Sequence, residues 1–229
     1  MGPLLFTQSK KGYRHNIDSV ILANFISLKG NEKVLDVGSG DGIISIILKY
    51  NNMLSDITGI EIQKNLYILS LTNCKQNNLD IQFINHDFFT YKFINSLFDI
   101  ILSNPPYYPL HSGRICKSQE KTVAKHEITF TLDKFLFHSK KILKQNGSIF
   151  FIYPSSRFLF AFNSIYNNKL YIKKLRFIHN TIEENSVLVL FQVSKQQHKC
   201  FAIEKPLIIY ENKNKKLYTQ ELKEYLFYD

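Results

Sequence analysis

The chain has only three cysteines, Cys74, Cys116 and Cys200, odd in number and far apart. That set builds neither a disulfide framework nor a zinc knuckle, and the seven histidines fall at no metal-ligand spacing. Reduced thiols and no bound metal are expected. No apolar run reaches the roughly 18–20 residues that cross a bilayer, so no membrane partner is expected. The opening Met1-Gly2-Pro3-Leu4-Leu5-Phe6 has neither the apolar core of an export signal nor the Ser/Thr of a myristoylation site. The cytoplasm is the expected compartment. Arginine is scarce as well: Arg14, Arg114, Arg157 and Arg176 stand in a chain whose default cation is lysine. The planar guanidinium fork makes each of them a candidate for a contact that lysine cannot make.

What is present is ordinary globular composition, 45% hydrophobic and 21% charged, over 229 residues. That length suits one α/β domain with a substantial core. We divide it into an N-terminal lead-in and helix over 1–30, a catalytic core over 31–195 and a C-terminal extension over 196–229. The formal charge of +10 suits a polyanionic partner such as nucleic acid. Lysine, asparagine and isoleucine share A/T-rich codons, so part of that charge is compositional.

Residues 1–16 read as a polar lead-in, followed by a helix from Asp18 to Leu28. Lys33 to Val37 is a short apolar strand that runs through a glycine-rich turn into a helix from Ile43 to Tyr50. A second strand (Asp56 to Ile62), a helix to about Asn77, a third strand (Ile81 to Asp87) and a fourth (Phe98 to Ser103) follow. Beyond a long loop come a helix (Leu132 to Lys144), a strand (Gly147 to Tyr153), a helix (Ser156 to Asn167) and two strand-like runs, Tyr171 to Ile178 and Val187 to Val193. Alternation of strand and helix predicts a doubly wound, mostly parallel seven-stranded sheet in an α/β, Rossmann-like fold. The last two strands are too close together for a crossover helix and should form a C-terminal antiparallel hairpin. In such sheets ligands bind beyond the carboxyl ends of the strands, where strand order reverses. Every motif below sits at such an end.

The first strand leads into Asp36-Val37-Gly38-Ser39-Gly40-Asp41-Gly42. Glycine lets the backbone turn sharply and approach a ligand with no Cβ in the way. The spacing is G-x-G-x-G, not the G-x-G-x-x-G of dinucleotide sites, which disfavours a nicotinamide enzyme. Phosphate would call for Lys or Arg, and none lies in this turn. Carboxylates suit a ligand that carries cationic and N–H or O–H groups. Glu61, with Ile62 beside it, closes the second strand, where an acid can accept from ribose hydroxyls. Asp87 and Phe88 end the third strand.

The fourth strand ends Ser103-Asn104-Pro105-Pro106-Tyr107-Tyr108. Two prolines in series cannot continue a ladder and hold an extended turn. That turn should present the Asn104 side-chain oxygen and the Pro105 carbonyl as two converging acceptors. An amino group conjugated to a ring or carbonyl is a poor nucleophile, because its lone pair is delocalised. Two acceptors on its N–H groups favour rehybridisation and stabilise the charge that develops on nitrogen, a contribution of a few kcal/mol. Alignment of the reacting atoms supplies much of the rest. Tyr107 offers a flat face for a planar base, worth roughly 1–3 kcal/mol.

The glycine turn resembles motif I of the class I S-adenosylmethionine-dependent methyltransferases. On that resemblance Asp36 helps hold the methionine end of the cofactor, with Gly38, Ser39, Gly40 and Gly42 around it. Glu61 takes the ribose, Asp87 contacts the adenine, and Phe88 flanks the same ring. Asn104-Pro105-Pro106-Tyr107 resembles the signature of amino- and amide-nitrogen methyltransferases, whose branches act on DNA adenine, rRNA guanine, protein glutamine and tRNA adenine. Further stretches are similar to the bacterial tRNA1(Val) adenine-37 N6-methyltransferase family: Gly12-Tyr13-Arg14, Asp18-Ser19-Val20-Ile21-Leu22-Ala23, Ser112-Gly113-Arg114, Ala124-Lys125-His126-Glu127, and the tail around Pro206-Leu207-Ile208-Ile209-Tyr210. The likeness implies that Tyr13, Arg14 and Asp18 close over the cofactor and that the acceptor is an adenine in tRNA, beside the anticodon. The loop from Tyr108 to Phe130 is long for a compact domain. We expect it to clamp the anticodon stem-loop through Arg114, Lys125 and His126, with an unstacked adenine beside Tyr107. Arg157 and Arg176 are candidates to extend that track, His179 reads as structural, and the Lys213 to Lys216 run reads as an exposed turn. A guanine amino group, a DNA adenine and a protein glutamine remain as alternative acceptors. A silent RNA-binding module on the same fold is a further alternative, opposed by the intact Asn104, Tyr107 and Glu61.

Overall fold

Val34 and Leu35 are neighbours in the first strand, yet they lie in different cores, because successive side chains of a strand point to opposite faces. The same division recurs at Leu102 and Ile101, at Phe150 and Phe151, and at Leu190 and Val189. A sheet apolar on both faces needs helices on both, and it has them. The computed structural model describes residues 4–7, 17–94, 97–106, 130–197, 199–212 and 217–226.

Elements run in the order α1 (Ile17–Phe25), β1 (Lys33–Val37), α2 (Ile43–Asn51), β2 (Asp56–Glu61), α3 (Lys64–Gln76), β3 (Gln82–Asn85) and β4 (Phe98–Ser103). Then come α4 (Leu132–Ile142), β5 (Leu143–Pro154), a 3-10 turn (Ser155–Arg157), α5 (Phe158–Asn167), β6 (Tyr171–His179) and β7 (Ser186–Ser194). The chain closes with β8 (Ala202–Ile203), β9 (Leu207–Ile208) and α6 (Gln220–Tyr225). Strand order is β3-β2-β1-β4-β5-β7-β6-β8, with β9 also on β6. Pairing is parallel from β3 to β5, and β7 is antiparallel to both β5 and β6. This is the expected doubly wound sheet with its antiparallel hairpin.

Helices α1 and α2 bury Val20, Ile21, Leu22, Ile43, Ile46 and Ile47 against one face. On the other face α4 and α5 bury Leu132, Phe135, Leu136, Ala161 and Ile165. Helix α4 is held at its start by Thr131, whose hydroxyl accepts from Lys134 N. It ends at Ile142, earlier than expected, because Leu143 is already in β5 and paired with Phe98.

Two features enlarge the expected fold. The short strands β8 and β9 run parallel to β6 and cover an edge that would otherwise be open. Helix α6 packs against α1, with Leu222 fully buried. Residues 5 and 7 are also tied down. Asn77 Oδ1 accepts from Leu5 N (2.9 Å) while its Nδ2 donates to Leu5 O (2.8 Å). One turn earlier on α3, Asn73 makes the same pair of bonds with Thr7, and its Nδ2 also donates to Asp41 O at 2.9 Å. Two asparagine side chains thus stand in for a strand edge along residues 5 and 7, and Asn73 joins Thr7 to the glycine turn.

Candidate active site

Strand order reverses between β1 and β4, which pair in parallel with Asp36 opposite Leu102. Their carboxyl ends are therefore side by side. Ser103 Oγ donates to Val37 O at 2.8 Å, which pins the residue before Asn104 to the residue before Gly38. Moving outward, β1 is flanked by β2, which ends at Glu61, and β2 by β3, which leads into Asp87. Adjacent strands lie about 4.8 Å apart, so the four strand ends span roughly 15 Å. In spatial order they carry Asn104, the glycine turn, Glu61 and Asp87. This is the row of groups that the sequence predicts.

Gly38, Gly40 and Gly42 all have positive φ, at 70°, 59° and 86°. At Gly42 a Cβ would also meet Phe83 Cζ at 3.0 Å and Ser70 Cβ at 3.1 Å, so both the conformation and the packing call for glycine. Gly42 then caps α2, accepting from Ile46 N at 2.9 Å.

The carboxylates under this turn are unusual. Asp36 is 0% exposed, and Ser45 Oγ donates to its Oδ2 at 2.7 Å. Its Oδ1 has no hydrogen-bond partner, and neither has Ser39 Oγ. Burial pushes the Asp36 carboxyl up to about 7, against the pull of Ser45, with Glu61 and Asp41 adding repulsion. A buried acceptor held at such cost suits a ligand that brings positive charge and N–H groups. Glu61 Oε2 accepts from Gly40 N (3.0 Å) and Oε1 from Gln63 N (2.7 Å), so main-chain donors from both neighbouring loops orient it. Asn85 Nδ2 donates to Glu61 O at 2.8 Å, which holds the ends of β2 and β3 together. Asp87 Oδ1 accepts from Phe89 N at 2.9 Å, and Ile62 is half exposed beside Glu61.

Asn104 is half buried, Pro105 buried and Pro106 exposed. Asn104 Nδ2 donates to Ser19 Oγ of α1 at 3.0 Å, a contact between residues far apart in the chain. Asp18 is half buried at the start of the same helix. Phe88 is placed differently from the expected role beside the adenine. It is buried among Phe89, Phe93, Phe135 and His138, as part of an aromatic core under α4. Tyr13, Arg14, Tyr107, Tyr108, Arg114, Lys125, His126 and the Lys213 to Lys216 run lie outside the described residues.

The two described arginines differ. Arg176 does not extend an RNA track: it is buried, with Nε donating to Lys205 O, Nη1 to Tyr225 and Nη2 to Glu221 at 2.6 Å. It ties α6 to the sheet. Arg157 follows the carboxyl end of β5, with its guanidinium 5.3 Å from the Tyr153 ring centre and 4.8 Å from that of the exposed Phe160. His179 Nδ1 lies 2.8 Å from Glu184 O, in the β6–β7 turn. Among the described residues Cys74 is buried and Cys200 exposed. No helix is long and apolar enough to cross a membrane, and no group of His, Cys, Asp or Glu could hold a metal ion, again among the described residues. Sequence reasoning missed the Ser19 and Asn73 contacts. The only local signal was polar residues at positions that helical packing buries.

Comparison with known proteins agrees with this geometry. The profile of the methyltransferase small domain family matches residues 14–161. A tRNA1(Val) (adenine(37)-N6)-methyltransferase from Aliivibrio fischeri is 25% identical over 183 residues, 79% of this chain and 77% of the relative. The protein of the same name from Actinobacillus pleuropneumoniae is 30% identical over 142 residues, 61% of this chain and 58% of the relative. Thus the aligned part spans less than two thirds of that relative. Among solved structures, a predicted O-methyltransferase from Agrobacterium tumefaciens superposes with a TM-score of 0.71 at 14% identity, covering 91% of this chain and 95% of that one. TrmN from Thermus thermophilus gives 0.58 at 16% identity, over 78% and 48%. At these identities the structural likeness speaks to the fold.

Proposed function

We propose the following for this chain, which belongs to the methyltransferase small domain family and uses S-adenosylmethionine: it methylates the N6 amino group of an adenine in a cytoplasmic tRNA, at position 37 of a valine tRNA, and does so as a single domain over residues 1–229. The observation that carries the reading is the pairing of β1 with β4, which sets Asn104 next to the glycine turn. The names of the relatives above support the choice of acceptor.

When bound, S-adenosylmethionine supplies an electrophilic methyl group on a sulfonium. Asp36, Ser39 and the main chain of Gly38 to Gly42 would hold its amino-acid end, Glu61 its ribose, and Asp87 with Ile62 its adenine. The buried, unpartnered Asp36 Oδ1 is the feature that fits such a ligand. Asn104 Oδ1 and the Pro105 carbonyl accept the two N–H bonds of the substrate amine, which frees the nitrogen lone pair from the ring. Tyr107 stacks on the base, Tyr13, Arg14 and Asp18 cover the cofactor, and Tyr108, Arg114, Lys125 and His126 contact the RNA. Arg157, with Tyr153 and Phe160, lies at the end of the strand next to β4, where the flanking nucleotides of a splayed-out base would lie.

The test is transfer of labelled methyl from cofactor to total RNA, total DNA and total protein. Label in tRNA as N6-methyladenosine supports the proposal. Label only in protein points to glutamine, and label in rRNA as N2-methylguanosine points to guanine; either overturns it.

A further inference from the structure

The two ends of the Asn104 amide are chemically opposite. Oδ1 accepts and Nδ2 donates, so only one of the two flipped orientations can grip an amine N–H. The other would set donor against donor. An amide already anchored with Nδ2 engaged meets the substrate without first having to reorient.

The described residues of the turn, up to Pro106, do not anchor it. Pro105 and Pro106 have no backbone N–H to offer the amide oxygen or to compete for it. The hydroxyl of Ser103 is committed to Val37 O. The partner of the Asn104 side chain comes from α1, where Ser19 Oγ accepts from Nδ2 at 3.0 Å. Ser19 is 2% exposed, and Val20, Ile21, Leu22 and Ala23 around it are core residues, so the hydroxyl is held by a packed helix. With Nδ2 engaged there, Oδ1 is the end of the amide left to accept from a substrate.

We propose that Ser19 is a positioning residue, which by accepting from Nδ2 anchors the Asn104 amide beside the glycine turn and so makes α1 part of the reaction site. The inference rests on the reading of Asn104 as the acceptor of the substrate N–H. Loss of one such bond, roughly 1 kcal/mol in typical cases, corresponds to a rate loss of about five-fold.

The experiment compares full-length wild type, Ser19→Ala and Ser19→Thr. Alanine suits a helix interior and removes the hydroxyl; threonine keeps it. Expected for Ser19→Ala are a kcat for methyl transfer roughly five-fold lower, little change in the KM for RNA, in S-adenosylhomocysteine affinity and in melting temperature, and recovery of kcat in Ser19→Thr. A second readout needs no substrate: the side-chain amide signals of Asn104 in 1H–15N spectra, identified by their loss in Asn104→Asp, should shift in Ser19→Ala and return in Ser19→Thr. An Asn104 signal unmoved by Ser19→Ala overturns the proposal. So does a kcat within two-fold of wild type, or a kcat loss explained by weaker cofactor binding. Should the threonine methyl not fit, the alanine variant and the spectrum decide alone. If wild type transfers nothing to tRNA, the acceptor reading fails, and the spectrum still judges Ser19.

Discussion

Asp36 lies in the first strand with one oxygen bound to Ser45 and the other without a hydrogen-bond partner. Its carboxyl is pushed up to about 7 by burial, against an ordinary value of 3.8. Between those two pH values the folded protein keeps a proton that the unfolded chain has lost. The contribution of this group to stability therefore falls as pH rises from about 4 to about 7, by at most roughly 1.4 kcal/mol per pH unit, and is flat above. Asn in place of Asp carries no such cost. Without cofactor, Asp36→Asn should gain melting temperature relative to wild type as pH goes from 5 to 8, read by calorimetry across buffers. Parallel curves for the two proteins would show that the buried charge is not there. The presence of an acid at this place was legible from the strand and glycine pattern. Its unpartnered oxygen was not, because that depends on Ser45, a helix away, and on the closure of the whole turn.

At the scale of elements, the turn after β1 works because its glycines meet two different demands. Gly38 needs only its positive φ, since nothing lies within 4 Å of an added Cβ; Gly42 has the same conformational need and is crowded by Phe83 and Ser70 as well. Left-handed backbone in a non-glycine residue costs about 1–3 kcal/mol. Gly42→Ala should therefore lower the melting temperature by several degrees and by more than Gly38→Ala, in thermal unfolding of the two variants. Equal shifts would remove the packing part of the argument. Strands β1 to β7 could be anticipated because apolar runs and turn residues are local signals. The pairs β8 and β9, two residues each, are too short to show any period. The clasp of Asn73 and Asn77 on residues 5 and 7, like Ser19 on Asn104, joins parts of the chain that no local pattern connects. Phe88 shows the same limit: beside Asp87 the sequence leaves its ring available to a ligand, whereas Phe89, Phe93, Phe135 and His138 pack around it.

Over the whole molecule, the charge of +10 says that a polyanion will be attracted and does not say where. The arginines divide the question. Arg176 is spent inside the fold on Glu221 and Tyr225, whereas Arg157 lies at the site end of the sheet against two rings. Arg176→Met should destabilise the protein by about 1–3 kcal/mol through the unpaired groups it leaves behind, with KM for tRNA little changed. Arg157→Ala should do the reverse, raising KM for tRNA about three- to ten-fold, in keeping with loss of a contact worth roughly 1 kcal/mol, at nearly constant melting temperature. Steady-state kinetics beside thermal unfolding separates the two, and an exchange of these effects would contradict the assignment of both.

The central claim is that Asn104, set beside the glycine turn by the pairing of β1 and β4, grips the amine that receives the methyl group. Nucleoside mass spectrometry of tRNA from cells lacking the protein, complemented with wild type or with Asn104→Ala, addresses it directly. The account predicts N6-methyladenosine restored by wild type and absent with Asn104→Ala, although the purified variant still binds S-adenosylhomocysteine within about three-fold of wild type, less than 1 kcal/mol. Full restoration by Asn104→Ala would contradict it.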